Sequence, residues 1–165
     1  MQRNTTSITK TKSRKSQNDR QVTVAILSAG IGSRIKSYEP RSLLKIGNKL
    51  LIEHQVNTIN QCLESPEIIN VIGCHANKVI KKTKGLVRVV ENQLHDSSNS
   101  SESLRLAVNN TLNKNILFMH GDLYFNEKTL NVNYDKSFII VDKTNQIKEN
   151  EVGATVCNNK LSILS

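Results

Sequence analysis

Short apolar runs alternate along this chain with segments whose apolar residues recur every three or four positions. The run VTVAILSAG (22–30) is almost continuously apolar and ends in small residues, the pattern of a buried parallel strand feeding a turn. In LLIEHQVNTINQCL (50–63) the spacing is helical. Leu51, Gln55, Ile59 and Leu63 share one face, Ile52 and Val56 lie beside it, and Glu64-Ser65-Pro66 ends it. IINVIGCH (68–75) reads as a second strand, ANKVIKKTKG (76–85) as a short helix closed by Gly85, and LVRVVEN (86–92) as a third strand. The polar stretch QLHDSSNSSES (93–103) reads as a loop in which a serine, such as Ser100, caps the helix SESLRLAVNNTLNKN (101–115). That helix has Leu104, Ala107, Val108 and Leu112 along one face. ILFMHGD (116–122) is a fourth strand ending at Gly121-Asp122, and NEKTL (126–130) forms one helical turn. KSFIIVDK (136–143) reads as a fifth strand, and EVGATVCN with KLSILS as a closing strand pair.

Strands alternating with helices predict an α/β domain with a mainly parallel sheet. In such sheets ligands sit at the carboxyl ends of the strands. The loop after the first strand and Gly121-Asp122 after the fourth both belong to that edge. The 165 residues suffice for one globular domain and are short for two. We expect that domain over 21–165, behind a disordered basic tail over 1–20. The tail has no hydrophobic core and is not a secretory signal; Met1 and Ile8 are its only apolar residues, too few for an amphipathic transit peptide. No apolar run approaches the roughly 18 residues of a membrane span, so a cytoplasmic protein is expected.

The net charge of +9 raises the question of nucleic acid, and its distribution answers it. Residues 1–20 carry six Lys or Arg against one Asp, and residues 31–49 carry Arg34, Lys36, Arg41, Lys45 and Lys49 against Glu39. Residues 50–165 balance at twelve of each sign. The excess therefore lies in the tail and one loop, which fits a phosphate ligand better than a duplex; the tail would add at most weak, salt-sensitive affinity. Cys62, Cys74 and Cys157 match neither a disulfide framework nor a zinc pattern and read as buried reduced thiols. His54, His75, His95 and His120 lack metal-ligand spacing and read as structural or surface residues. Lys78, Lys81, Lys82 and Lys84 read as a solvated helix face.

Gly30 and Gly32, directly after a strand, suit a backbone that turns tightly and approaches a ligand closely. Two better-known glycine loops are excluded. A dinucleotide fingerprint needs glycine at position 35, where Ile35 stands, and no P-loop pattern is present. The whole run Leu27-Ser28-Ala29-Gly30-Ile31-Gly32-Ser33-Arg34, followed by Pro40-Arg41-Ser42-Leu43-Leu44, is more specific. It resembles the opening signature of the nucleotidyltransferases of GT-A-like fold, L-x-A-G-x-G-[ST]-R, a spacer, then P-K-x-L. That family includes sugar-phosphate nucleotidyltransferases, bacterial-type phosphocholine cytidylyltransferases and molybdopterin guanylyltransferases.

The resemblance implies a Rossmann-like three-layer α/β/α fold. It implies that the backbone around Ser28, Ala29 and Gly30 meets the nucleotide, and that Gly32 and Ser33 bend round its phosphates. Arg34 would hold the β- and γ-phosphates and stabilise departing pyrophosphate. The family lysine falls at Arg41, which keeps the charge but not the compact ammonium; Lys45 lies close enough in sequence to share its role. Ser98-Asn99-Ser100-Ser101-Glu102-Ser103-Leu104 resembles the family's T-N-x-x-S-L stretch, which implies Asn99 and Ser103 near base and ribose. It favours CTP, or UTP for a sugar-nucleotide product. Gly121-Asp122 matches the family's G-D, implying that Asp122 binds Mg²⁺. The implied reaction is attack by a phosphate oxygen of a small-molecule acceptor (a sugar phosphate or phosphocholine-like compound) on the α-phosphorus, releasing pyrophosphate.

Family members usually continue with substrate-binding elements and a second metal-binding Asp, about where this chain ends. Asp135 and Asp142 come too early to supply that ligand. Three readings stand: a natural minimal form, a truncated chain, or a protein that binds nucleotide without turning it over.

Overall fold

A computed structural model describes residues 21–30, 39–141, 154–158 and 160–164. The contacts divide the chain into two compact units, one ending at Glu127 and one beginning at Lys128. The basic tail and the loop residues Gly32, Ser33 and Arg34 lie outside the described residues.

The first unit opens with strand β1 (Val22–Leu27), all six residues buried. A 3-10 turn (Arg41–Leu43) and the antiparallel two-residue strands β2 (Lys45–Ile46) and β3 (Lys49–Leu50) lead into helix α1 (Leu51–Cys62). Strand β4 (Glu67–Ile72), helix α2 (Ala76–Thr83), strand β5 (Arg88–Glu91), helix α3 (Ser100–Asn110) and strand β6 (Asn115–His120) follow. The four long strands make one parallel sheet in the order β5-β4-β1-β6. The chain first builds outward from β1 through β4 to β5. It then crosses back over α3 to add β6 on the other side of β1. The strand order thus reverses between β1 and β6, and in open α/β sheets the crevice that takes a ligand lies beyond the carboxyl ends at such a point.

Alternation along the strands separates two apolar layers. Ala25, Leu27, Ile69 and Val71 pack with Ala107 of α3, with Val90, Leu104 and Ile116 against them. Ile72, one residue on from Val71, joins Val79 of α2 and Leu43 in a second cluster. Helices therefore cover both faces, which is the three-layer α/β/α arrangement expected from the sequence. Leu51, Ile52, Gln55, Val56 and Ile59 form the buried face of α1, whose entry is capped by the Glu53 carboxylate accepting from Leu50 N at 2.6 Å.

At the amino edge of the sheet, Glu67 accepts hydrogen bonds from Thr23 (2.6 Å) and Thr111 (2.9 Å) through Oε2, and from Arg88 (2.6 Å) through Oε1. This network ties β1, β4, β5 and the exit of α3 together on the side opposite the crevice.

Four expectations need correction. Asn99, not Ser100, caps α3: its Oδ1 accepts from Ser101 N at 2.9 Å, the short-range bond an amide makes at a helix entry. The helix ends at Asn110, so Leu112 is 98% exposed and Val108 47% exposed; the buried line is Ser103 and Ala107. The thiols are not fully buried, since Cys62 and Cys74 are half-buried and Cys157 is exposed, although all three are free. The fifth strand is absent over residues 136–141. Phe138, Ile139, Ile140 and Val141 are all 37–45% exposed, so this segment has no buried face to alternate with a wet one, and no ladder fixes it.

In the second unit, beyond the short helix α4 (Glu127–Leu130), Tyr134 donates to Leu130 O at 2.9 Å and sets its ring edge-on to Phe138 at 5.4 Å. Strands β7 (Ala154–Cys157) and β8 (Lys160–Leu164) pair antiparallel, as the closing strand pair expected there, with an irregularity between Thr155 and Val156. Among the described residues no helix is long and apolar enough to cross a membrane.

Candidate functional site

Four loops leave the carboxyl edge of the sheet, and each is bonded to its neighbour. Past β1 the chain keeps its ladder for one more residue: Ser28 N donates to Val71 O at 2.8 Å. On the other side Gly121 N donates to Leu27 O at 2.9 Å, which brings the loop after β6 onto the loop after β1. The approach is so close that a Cβ on Gly121 would lie 2.9 Å from Ser28 Cβ and 3.0 Å from its Cα. Gly121 is thus required by packing, because any side chain there would force the two loops apart. Gly73 serves the same purpose after β4, where an added Cβ would lie 2.8 Å from Ala29 O and collide with the His95 ring.

Ser28 and Ala29 are buried, and Gly30 is exposed at the crevice. The Ser28 hydroxyl has no hydrogen-bond partner among the described residues. A buried polar atom without a partner costs on the order of 1–3 kcal/mol, and a site that receives a polar ligand is one place where that is tolerated.

Across the crevice Arg41 Nη1 donates to Asp122 Oδ2 at 2.5 Å. Arg41 heads the 3-10 turn that Pro40 starts with its fixed φ of −53°. Asp122 follows β6, 81 residues later. The side chains are 26% and 35% exposed, so the pair lies at the mouth of the crevice, neither in the core nor in open solvent. Arg41 Nε is buried, also with no partner among the described residues. Lys45 is exposed on β2.

The two remaining candidates lie beyond β5. Ser103 is 3% exposed on α3 and its Oγ accepts from Asn92 Nδ2 at 3.2 Å; Asn99 is exposed at the entry of the same helix. Asn92 was not anticipated. It is 1% exposed and also donates to Ser98 Oγ at 3.0 Å, while its Oδ1 accepts from Leu94 N at 3.0 Å. Its carbonyl lies 3.2 Å from His95 Nδ1, and its own N–H donates to Ile72 O at 2.7 Å. One asparagine therefore fixes the path of the loop that leads to Asn99 and ties it to Ser103 in the first turn of α3. Gln55 was seen only as a member of a helix face. It is buried, and its Nε2 reaches the carbonyls of Leu123 (2.8 Å) and Gly121 (3.4 Å), on either side of Asp122. For Gln55 the available sequence signal was an amide on an otherwise apolar helix face.

The histidines have the expected structural roles. His54 Nε2 lies 3.0 Å from Ile46 O with its ring edge-on to Tyr124, His75 starts α2 in the left-handed region at φ 56°, and His95 packs against Gly73. His120 is exposed at the end of β6. Lys78, Lys81, Lys82 and Lys84 are exposed as expected, Lys78 pairing with Glu39 at 2.5 Å. No group of three or more His, Cys, Asp or Glu is arranged for a metal ion among the described residues. Asp122 alone offers a partly exposed carboxylate at the switch point, and one or two carboxylates completed by water and phosphate oxygens suit Mg²⁺.

Comparison with known proteins agrees with this geometry. A stretch of 58 residues is 36% identical to the bifunctional protein GlmU of Solibacter usitatus, covering 35% of this chain and 12% of that protein. The fold is similar to a nucleotidyl transferase from Methanothermobacter, with a TM-score of 0.56 and 29% identity over 67% of this chain and 55% of the other. It is also similar to the CTP:phosphocholine cytidylyltransferase of Streptococcus pneumoniae, with a TM-score of 0.56 and 24% identity over 66% of this chain and 50% of the other. The chain thus spans about half of each of these two structures. Residues 24–134, from β1 through the Asp122 loop and beyond α4, match the MobA-like NTP transferase domain, and the chain belongs to that family.

Proposed function

We propose that this chain forms the nucleotide-binding part of a Mg²⁺-dependent nucleotidyltransferase that transfers a nucleoside monophosphate to a phosphorylated small molecule. The observation that carries the reading is the convergence of three groups at the switch point. Arg41 and Asp122 meet there from positions 81 residues apart, beside the buried Ser28 hydroxyl. A cation, a carboxylate and exposed loop backbone at one crevice match the needs of a metal-bound triphosphate.

In this reading Ser28, Ala29 and Gly30 present backbone to the nucleotide, and Gly32 and Ser33 turn the loop round its phosphates. Arg34 holds the β- and γ-phosphates, Arg41 neutralises charge near the α-phosphate, and Lys45 adds positive potential from β2. Asn99 and Ser103 lie toward the base and ribose, at the entry of α3 that Asn92 holds. Asp122 would hold Mg²⁺, whose contribution when bound is to neutralise charge on the phosphate oxygens. An acceptor phosphate oxygen forms a bond to the α-phosphorus as the bond to the β-phosphate oxygen breaks, and pyrophosphate leaves. The protein's share is positioning and charge, and no covalent enzyme intermediate is needed. The stretch Ser98–Leu104 favours CTP or UTP, with a sugar phosphate or a phosphocholine-like acceptor.

A second reading is a nucleotide-binding domain of the same fold without turnover. Titration calorimetry with CTP, UTP, GTP and ATP, with and without Mg²⁺, tests what the readings share. Binding of one nucleotide that strengthens with Mg²⁺ is expected, and no binding to any of the four would remove both.

A further inference from the structure

The buried face of α1 contains one polar residue whose presence packing does not explain. Leu51, Ile52, Val56 and Ile59 are apolar, whereas Gln55, 2% exposed among them, carries an amide. Only half of that amide is satisfied. Nε2 donates to Leu123 O at 2.8 Å and more weakly to Gly121 O at 3.4 Å, while Oε1 has no partner among the described residues. A leucine would fill similar space without an unpaired acceptor, so the amide works against burial and must be retained for what it holds.

What it holds is the turn that presents Asp122. The two carbonyls belong to the residues immediately before and after it. Leu123 and Tyr124 are 46% and 63% exposed, so apolar burial does little to fix this segment. Its other restraints include Gly121 N on Leu27 O at 2.9 Å, Leu123 N on His120 O at 3.4 Å, the Arg41–Asp122 ion pair, and the edge contact of Tyr124 with His54, the residue next to Gln55 on α1. The direction of the Asp122 carboxylate therefore depends on α1 through its backbone as well as on Arg41 through its side chain.

We infer that Gln55 is a positioning residue whose amide fixes the backbone on both sides of Asp122, so that the carboxylate is pre-set for a divalent cation bound with the triphosphate. This rests on the reading of Asp122 as the metal ligand. Outer residues that orient a ligand typically change metal affinity by about 10–100-fold when removed.

The test is titration of MnCl₂ into the full chain, with and without CTP, followed by water-proton relaxation. The parent is compared with Gln55→Leu, Gln55→Met and Asp122→Asn, and each is also unfolded in urea. We expect Asp122→Asn to lose Mn²⁺ binding. The two Gln55 variants should unfold at or above the parent's midpoint yet bind Mn²⁺ about tenfold more weakly, a split that a purely structural role does not produce. Gln55 variants that bind Mn²⁺ like the parent, while Asp122→Asn does not, overturn the inference and leave the metal-site reading standing. A parent that binds no Mn²⁺, or an Asp122→Asn variant that binds like the parent, overturns both. If neither Gln55 variant folds, Gln55 is a scaffold residue and the inference fails.

Discussion

Arg41 and Asp122 hold each other at 2.5 Å, so a cation drawn to Asp122 and a triphosphate drawn to Arg41 both compete with the same bond. Such coupling is reciprocal, because whatever removes Arg41 frees the carboxylate for metal, and the reverse. Partly exposed ion pairs contribute about 0–1 kcal/mol, so Arg41→Ala should tighten Mn²⁺ binding in the absence of nucleotide by no more than about fivefold. The same variant should weaken triphosphate binding by at least about tenfold, the usual scale for hydrogen bonds from a charged donor. Calorimetry of both ligands checks the two directions, and parallel losses would mean that Arg41 supports the loop and does not touch phosphate. Gly121→Ala places a methyl group against Ser28 Cα and Cβ and should cost about 1–3 kcal/mol in urea unfolding, with a further loss of nucleotide affinity as the loops separate. A variant as stable as the parent would mean that the Ser28–Gly121 contact is loose.

At the scale of elements, α3 allows structure and binding to be separated. Asn99→Ala should cost about 1 kcal/mol through the lost cap, whereas Asn99→Asp keeps a capping acceptor and the stability with it. If Asn99 also meets the base, Asn99→Asp should still weaken nucleotide binding; unchanged affinity with unchanged stability would reduce Asn99 to a cap. The amino edge predicts a pH dependence. Burial alone would raise the Glu67 carboxyl, but hydrogen bonds from Thr23, Thr111 and Arg88, with the Arg88 charge, together hold it below its ordinary value. A carboxyl lowered by folding contributes stability that is fully present above its unfolded value, about 4.3, and is lost as pH falls through the folded one. Urea midpoints should therefore drop between pH 5 and pH 3 by less in Glu67→Gln than in the parent, and equal drops would show the network to be inert. The elements that position the site were legible because each of the four sheet strands is a short apolar run bounded by polar or small residues. The segment 136–141 was not, since four consecutive apolar residues specify burial but no face. Leu112 was assigned to a helix whose period outlasts its actual end at Asn110.

Over the whole chain, charge and topology divide the site differently. The surplus of basic residues in 31–49, including Arg34, Arg41 and Lys45, was visible as sequence, and so was the signature that surrounds it. The pairing of Arg41 with Asp122, the buried Ser28 hydroxyl and the supporting amides of Asn92 and Gln55 were not. They arise from strand order, which brings the ends of β1 and β6 together across 93 residues of sequence. Residues 24–134 carry the family match and contain the whole Arg41–Asp122 crevice, yet the chain spans about half of the two structures it resembles. Nucleotide binding and nucleotidyl transfer are separate measurements on this chain. A ligand that binds only the folded chain stabilises it by about 2.7 kcal/mol at a hundred times its Kd, so CTP or UTP with Mg²⁺ should raise the Tm by several degrees. Asp122→Ala should remove the part of that rise that depends on Mg²⁺. With a sugar phosphate or phosphocholine added, a pyrophosphate assay then divides the two readings. Release that depends on acceptor, and is lost in Asp122→Ala, establishes a transferase. A Tm rise without release, across acceptors of both classes, leaves a domain that binds the nucleotide and does not turn it over.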